Sequence, residues 1–194
     1  MQPDSGQIRI RGEAVRIQSV QKAIDLGIGY VPENRLVQGL VMEQSVGKNI
    51  VITIIEKILG ALRLIDQKKK QESIAHWVEE LSIRIPSVES PVQTLSGGNQ
   101  QRVVVAKWIA TDPKILILDG PTVGIDVAAK SAIHEIIRKL AREGMGIMVI
   151  SDEVAEVLHN CNRILVMHKG RLVDEFRAAE TSEEEVQRCV DTVR

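Results

Sequence analysis

Aromatic side chains are scarce: two tryptophans, one tyrosine and one phenylalanine make up 2% of 194 residues. Single-stranded nucleic acid is usually held on aromatic platforms, so that class of partner is disfavoured at once. Cysteine is scarce too. Cys161 and Cys189 have neither metal-ligand spacing nor the density of a secreted disulfide scaffold, which points to a reducing compartment and to two small apolar side chains. Apolar runs such as Ile50 to Ile55 are broken by charge far short of the roughly 20 residues that cross a bilayer. The opening Met1-Gln2-Pro3-Asp4-Ser5-Gly6 lacks both the basic and the apolar parts of a secretory leader. Neither charge sign is in excess. With 25 basic and 26 acidic side chains the formal net charge is −1, so no general field gathers nucleic acid or anionic lipid.

What remains is ordinary globular composition, 44% hydrophobic and 26% charged, over a length that suits one generous domain or a domain with a subdomain. Ile8 and Ile10 alternate with polar neighbours up to Gly12, reading as a strand and turn, with a second short strand near Ala14 to Ile17. Ser19 is placed to cap a helix from Val20 to Leu26, and Ile28 to Val31 reads as a strand stopped by Pro32. From there to about Thr111 the pattern is loops and helices. Ile74, Trp77, Val78 and Leu81 form one face of a helix over 67–81, and Lys68 to Lys70 make a solvated run.

The last third alternates again. Ile115 to Leu118 and Ile147 to Ile150 are apolar runs of buried-strand type, separated by a helical face of Ile133, Ile136, Ile137 and Leu140, an order that implies parallel pairing. A helix over 152–159 leads to a hairpin of Arg163 to Met167 with Leu172 to Phe176. Ser182 and Glu185 announce a final helix with Val186, Cys189, Val190 and Val193 inward.

Two segments carry chemistry. Leu95-Ser96-Gly97-Gly98-Asn99-Gln100-Gln101 enters an apolar helix, and a serine with two glycines there surrounds one open spot with free backbone N–H groups at the positive end of the helix dipole. A phosphate fits such a spot, and a plain helix cap with a flexible turn has the same composition. About twenty residues later Ile115-Leu116-Ile117-Leu118-Asp119 runs into Gly120-Pro121-Thr122 and Gly124-Ile125-Asp126. An acid at the carboxyl end of a buried parallel strand sits where α/β sheets bind ligands, and can hold Mg²⁺ through water.

In this order and spacing the two segments resemble the signature motif, Walker B strand and D-loop of ABC-transporter ATPases. The form Leu95 to Gln101 with Gly124-Ile125-Asp126-Val127 is most similar to the second half of the tandem ATPase subunits of bacterial ribose-, galactose- and arabinose-type importers. Tyr30 to Arg35 with Gly39-Leu40 is similar to that family's Q-loop region, and Asn162 to Met167 to the strand after its switch loop. The resemblance implies an α/β, P-loop NTPase-like core with a helical subdomain. Residues 1–33 would be the residual N-terminal part ending in the Q-loop, 34–112 the helical subdomain with the signature, and 113–194 the core with Walker B, D-loop and switch loop.

Departures from the family pattern limit what the chain is expected to do. No Gly-x-x-x-x-Gly-Lys-Ser/Thr loop is present: Gly47-Lys48-Asn49 has Met42 where the first glycine belongs and no hydroxyl after the lysine. Pro3-Asp4-Ser5-Gly6 corresponds to a segment after the family's Walker A helix, so the strand–loop–helix is expected to lie outside this sequence. Gly120 stands where the family has the water-activating glutamate, a loss that typically costs roughly 10²- to 10⁴-fold. Asp152 stands at the switch-histidine position and Glu33 at the Q-loop glutamine position.

By the resemblance, the chain is expected to contribute a signature face, Leu95, Ser96, Gly97, Gly98, Asn99 and Gln100, to nucleotide held by another ATPase half. Asp119 would serve Mg²⁺ through water, and Gly124 and Asp126 would lie at the seam. No catalytic residue is expected, nor tight nucleotide or metal binding by the chain alone. ATP and Mg²⁺ belong to the complete assembly. The implied partners are another ATPase half, membrane permease subunits and, indirectly, a sugar-binding protein, with no nucleic acid. The implied location is cytoplasmic, peripheral to the inner face of the membrane. The alternative is a catalytically silent, truncated fragment. Asn99 and Gln100 have a second reading as residues that satisfy backbone groups, and Glu33 and Arg35 are read either as contacts to the membrane subunit or as solvated loop charges. His76, His134, His159 and His168 have no metal-site spacing, and Trp77 and Trp108 fall at core positions.

Overall fold

The computed structural model describes residues 5–193; Met1 to Asp4, Arg194 and the side chain of Val193 lie outside the description. Strands β1 (Ile8–Ile10) and β2 (Glu13–Val15) form an antiparallel pair around Arg11-Gly12, both at positive φ, the backbone that suits a two-residue hairpin turn. Helix α1 (Val20–Asp25) begins at Ser19, whose hydroxyl accepts from the Lys22 amide, and leads into β3 (Ile28–Val31).

The next eighty residues hold no strand among those described. Helix α2 (Val46–Val51), a 3-10 stretch over Ile52–Ile58, α3 (Gln67–Glu80) and α4 (Gly97–Ile109) pack as layers. Asp66 caps α3 by accepting from the Lys68 and Lys69 amides, and the expected face of α3 turns inward, Ile74 and Leu81 buried and Trp77 and Val78 half-buried. Helix α4 is buried along most of its length, a lysine included. Lys107 lies 5.6 Å above the Trp108 ring and donates to the Gly39 carbonyl, and burial holds its pKa below the ordinary lysine value.

After α4 the chain alternates strand and helix: β4 (Ile115–Asp119), α5 (Val127–Arg142), β5 (Gly146–Ile150), α6 (Val154–Asn160), β6 (Arg163–His168), β7 (Arg171–Arg177) and α7 (Glu183–Val193). The expected parallel pairing is present, β3-β4-β5, with Val31 beside Leu118 and Asp119 beside Ile150. In such a ladder paired residues share a face. Val31, Leu116, Leu118 and Val149 therefore point into the core with Ile133 and Ile137 of α5, whereas Tyr30, Met148 and Ile150 line the open face. Strands β6 and β7 form a separate antiparallel hairpin turning at Lys169-Gly170, and Ile164 and Val166 pack on Val186 of α7. At the start of α7, Ser182 caps the Glu185 amide as expected, but the Glu185 carboxylate takes its hydrogen bond from Thr181.

Candidate functional site

The mouth of α4 is built by Ser96, an exposed residue in extended conformation whose hydroxyl makes no capping bond to the helix. Gln100 is the first residue whose amide bonds back, to the Ser96 carbonyl at 2.9 Å. The amides of Gly97, Gly98 and Asn99 thus have no acceptor among the described residues, which leaves the positive end of a thirteen-residue helix unanswered.

The two glycines are also fixed by the chain's own packing. A Cβ on Gly98 would stand 2.6 Å from the Ala129 Cβ of α5. One on Gly97 would meet the Arg35 guanidinium at 2.9 Å and the Gly124 carbonyl at 3.4 Å. Asn99 and Gln100 both make hydrogen bonds within the chain. The Asn99 amide oxygen accepts from the Arg84 N–H at 2.9 Å and its amide nitrogen donates to the Ser96 hydroxyl, while Gln100 donates to the Leu95 carbonyl at 3.1 Å. Leu95 is half-buried against the core. What α4 offers outward is therefore backbone N–H and the Ser96 O–H.

Beyond the sheet, the segments that follow β3 and β4 stay side by side. Because β3 and β4 are parallel neighbours, their C-terminal loops leave the same end. Tyr30 donates its hydroxyl to Asp119 at 2.9 Å, the Glu33 side chain lies over Gly120, and Arg35 donates to the Val123 and Gly124 carbonyls at 2.8 and 3.1 Å. The hydrogen bond to Asp119, burial, and the charges of Asp119 and Glu33 push the Tyr30 phenol up and keep it protonated. None of these contacts is visible in the one-dimensional pattern, since the partners lie 87 to 89 residues apart.

Gly120 has a φ of +52°, and a Cβ there would stand 2.9 Å from Glu33 Cγ and 3.0 Å from Val123 Cγ2. A glutamate at this position would be strained in backbone and in space alike, so the glycine suits the local geometry. Gly124 also sits at positive φ, +69°. Asp126 caps α5, its carboxylate accepting from the Ala129 amide at 3.0 Å. Asp152 is exposed at the start of α6; its neighbour Glu153 pairs with Lys130 at 2.6 Å.

A buried carboxylate escaped sequence reasoning. Glu156, 6% exposed, accepts from the Thr122 hydroxyl and pairs with His134 Nε2, each at 2.8 Å, with Ser151 as a further partner. Burial opposes its charge, but the hydrogen bonds from His134, Ser151 and Thr122 and the attraction of His134 outweigh it, leaving the pKa below the ordinary 4.5. His134 is thus a structural histidine with a specific task. Glu156 links the turn after β4, helix α5 and the turn after β5.

An anionic phosphate oxygen suits the α4 mouth, where the first-turn amides are unbonded within the chain beside the Ser96 hydroxyl. For Mg²⁺ the described residues contain no group of three or more His, Cys, Asp or Glu able to hold a metal. A single carboxylate, Asp119, half-exposed and with one oxygen engaged by Tyr30, fits a water-mediated contact to an ion held mainly by phosphates.

Comparison with known proteins identifies the family and the fold. The sequence model of the ABC transporter family matches residues 1–123. The ribose import ATP-binding protein RbsA of Rhodococcus jostii is 41% identical over 183 residues, and a putative ribose/galactose/methyl galactoside import ATP-binding protein 2 of Burkholderia cenocepacia is 42% identical over the same length. Each alignment covers 94% of this chain but 36% of the relative, so the chain spans little more than a third of these proteins. In fold, the chain is similar to the dimeric post-hydrolysis ATP-binding cassette MJ0796 bound to ADP and Pi, with a TM-score of 0.76 at 20% identity, covering 92% of this chain and 75% of that one. Similarity to cbiO1 from Clostridium perfringens gives 0.75 at 24% identity, covering 99% and 74%.

Proposed function

The chain belongs to the ABC transporter ATPase family, and on that premise we propose that it supplies the signature face of a composite ATP site in a sugar importer. The observation that carries this reading is the mouth of α4, where three first-turn amides and the Ser96 hydroxyl are left for an outside acceptor. A second ATPase half would bring nucleotide on its own phosphate loop, and the α4 amides would stabilise charge on the transferring phosphoryl oxygens without any proton chemistry. ATP and Mg²⁺ are the family's working pair. A bound magnesium ion neutralises phosphate charge, and Asp119 would hold it through water.

Three positions support assigning the chain no catalytic residue: Gly120 is confined by Glu33 and Val123, Asp152 is an exposed acid, and Glu33 is a carboxylate. Hydrolytic chemistry would then come from the partner half. Residues 1–33 and 113–194 are read as parts of the core and 34–112 as the helical subdomain. The relatives' names support sugar import, with permease subunits and, through them, a sugar-binding protein as partners. No helix among the described residues is long and apolar enough to cross a membrane, consistent with a peripheral place at its cytoplasmic face.

The test is ATP turnover by the chain assembled with an ATPase half that carries a phosphate loop and a catalytic glutamate. Gly97→Asp is expected to lower turnover by about 100-fold, the scale of losing an oxyanion-type donor set. A Cβ at position 97 meets the Arg35 guanidinium at 2.9 Å and the Gly124 carbonyl only at 3.4 Å, an ordinary contact, so the fold is expected to persist by circular dichroism. Unchanged turnover would sink the signature reading and favour the silent-fragment alternative.

A further inference from the structure

Arg35 carries two strong hydrogen bonds and no ion pair. Its guanidinium donates to the Val123 and Gly124 carbonyls, and no carboxylate lies within ion-pair reach of it among the described residues. The Nε–H is buried without an acceptor, so the fork is held by its two terminal nitrogens alone. The same guanidinium fills the space beside Gly97 at the mouth of α4.

The loop that bears Arg35 is itself fastened. Asn34 accepts from the Val37 amide at 3.2 Å and shapes the turn Arg35–Gly39. At the far end Gly39 lies against Val104, and its carbonyl takes the buried Lys107 ammonium. One loop therefore touches α4 near its start and midway along it, and reaches the turn after β4 through a rigid planar group. Leu36 and Val37 of the same loop are exposed, 49% and 77%, which leaves its outer side open to contact.

We propose that Arg35 is a positioning residue: its guanidinium holds the Val123-Gly124 turn and the mouth of α4 in one frame, so that a displacement of the Pro32–Gly39 loop reaches both. A lysine would supply the charge but not the planar fork that engages two carbonyls at once. The link to ATP turnover rests on the signature reading above; the mechanical link between the loops does not.

The experiment has two arms. In the chain itself, amide hydrogen exchange is followed at Val123, whose N–H bonds to the Gly120 carbonyl, and at Gln100, whose N–H bonds to the Ser96 carbonyl. Arg35→Ala and Arg35→Lys are both expected to speed exchange at these amides at least tenfold while leaving Val186, in the separate apolar cluster, unchanged. If Arg35→Ala unfolds, Arg35→Lys alone decides. In the chain assembled with a phosphate-loop half, both variants are expected to lower kcat for ATP at least tenfold with KM within about twofold, because nucleotide is held by the partner. Exchange that stays at the wild-type rate at Val123 and Gln100, or rises equally throughout the chain, overturns the proposal. If exchange behaves as expected and Gly97→Asp lowers turnover but neither Arg35 variant does, the coupling to turnover is wrong. If Gly97→Asp has no effect, the signature reading fails, and the exchange arm still decides whether Arg35 ties the loops.

Discussion

Replacing Glu156 by alanine lowers the unfolding free energy by about 3 kcal/mol, since it strands the Thr122 hydroxyl and His134 in a site 6% exposed. For a chain of this length that is a fall of roughly 10 °C in Tm. The pH dependence has a definite sign. The folded pKa of Glu156 is below the ordinary 4.5, so the native state favours the charged form. Its contribution is complete above about pH 4.5, the unfolded carboxyl's value, and is lost as the pH falls through the depressed folded value. Glu156→Gln, similar in shape, is expected to cost less at neutral pH and to remove this part of the acid sensitivity. Urea titrations at pH 7 and pH 4 measure both effects. Equal destabilisation of wild type and Glu156→Gln between the two pH values would contradict the assignment.

Gly98→Ala is expected to destabilise by about 2 kcal/mol, against the direction of helix propensity. Alanine gains at most about 1 kcal/mol over glycine in a helix interior, and less in a first turn. Here the added carbon would stand 2.6 Å from the Ala129 Cβ, which is fixed to the backbone of α5 and cannot rotate away. Overpacking of this kind typically costs about 1–3 kcal/mol. Ala129→Gly removes the opposing atom, so the double variant Gly98→Ala with Ala129→Gly is expected to recover at least half of the loss, a coupling that denaturant titration of the four proteins reads directly. Additive effects in that cycle would place the origin of the glycine elsewhere.

The sheet and the principal helices were legible because they rest on local pattern. The apolar runs at Ile28, Ile115 and Ile147 become β3, β4 and β5, and the spacing of Ile133, Ile137 and Leu140 becomes the buried face of α5. The caps at Ser19 and Ser182 follow from side-chain oxygens that can accept a first-turn amide. The family and the outward amides of α4 were legible for the same reason, being carried by contiguous residues.

What pattern could not reveal are contacts made by neighbouring strands of distant sequence. Tyr30 with Asp119 and Arg35 with Val123 and Gly124 depend on the β3–β4 register, which aligns residues 87 apart. Lys107 looks like a surface cation until Gly39 is brought beside it. Glu156 could have been suspected as an acid at a helical position between apolar neighbours, but its partners come from three other segments. The glycines of the signature segment illustrate both levels. Their place at a helix start is local, whereas the tight approach of Ala129 to Gly98 belongs to tertiary packing.

The most direct measurement is the structure of the chain assembled with a phosphate-loop half and trapped closed around ATP. Gly97 and Gly98 amide nitrogens are expected to lie about 3 Å from oxygens of the nucleotide's terminal phosphate, a normal hydrogen-bond length. A closed pair in which the start of α4 opens onto bulk water, with that phosphate contacted only by the other half, would contradict the account.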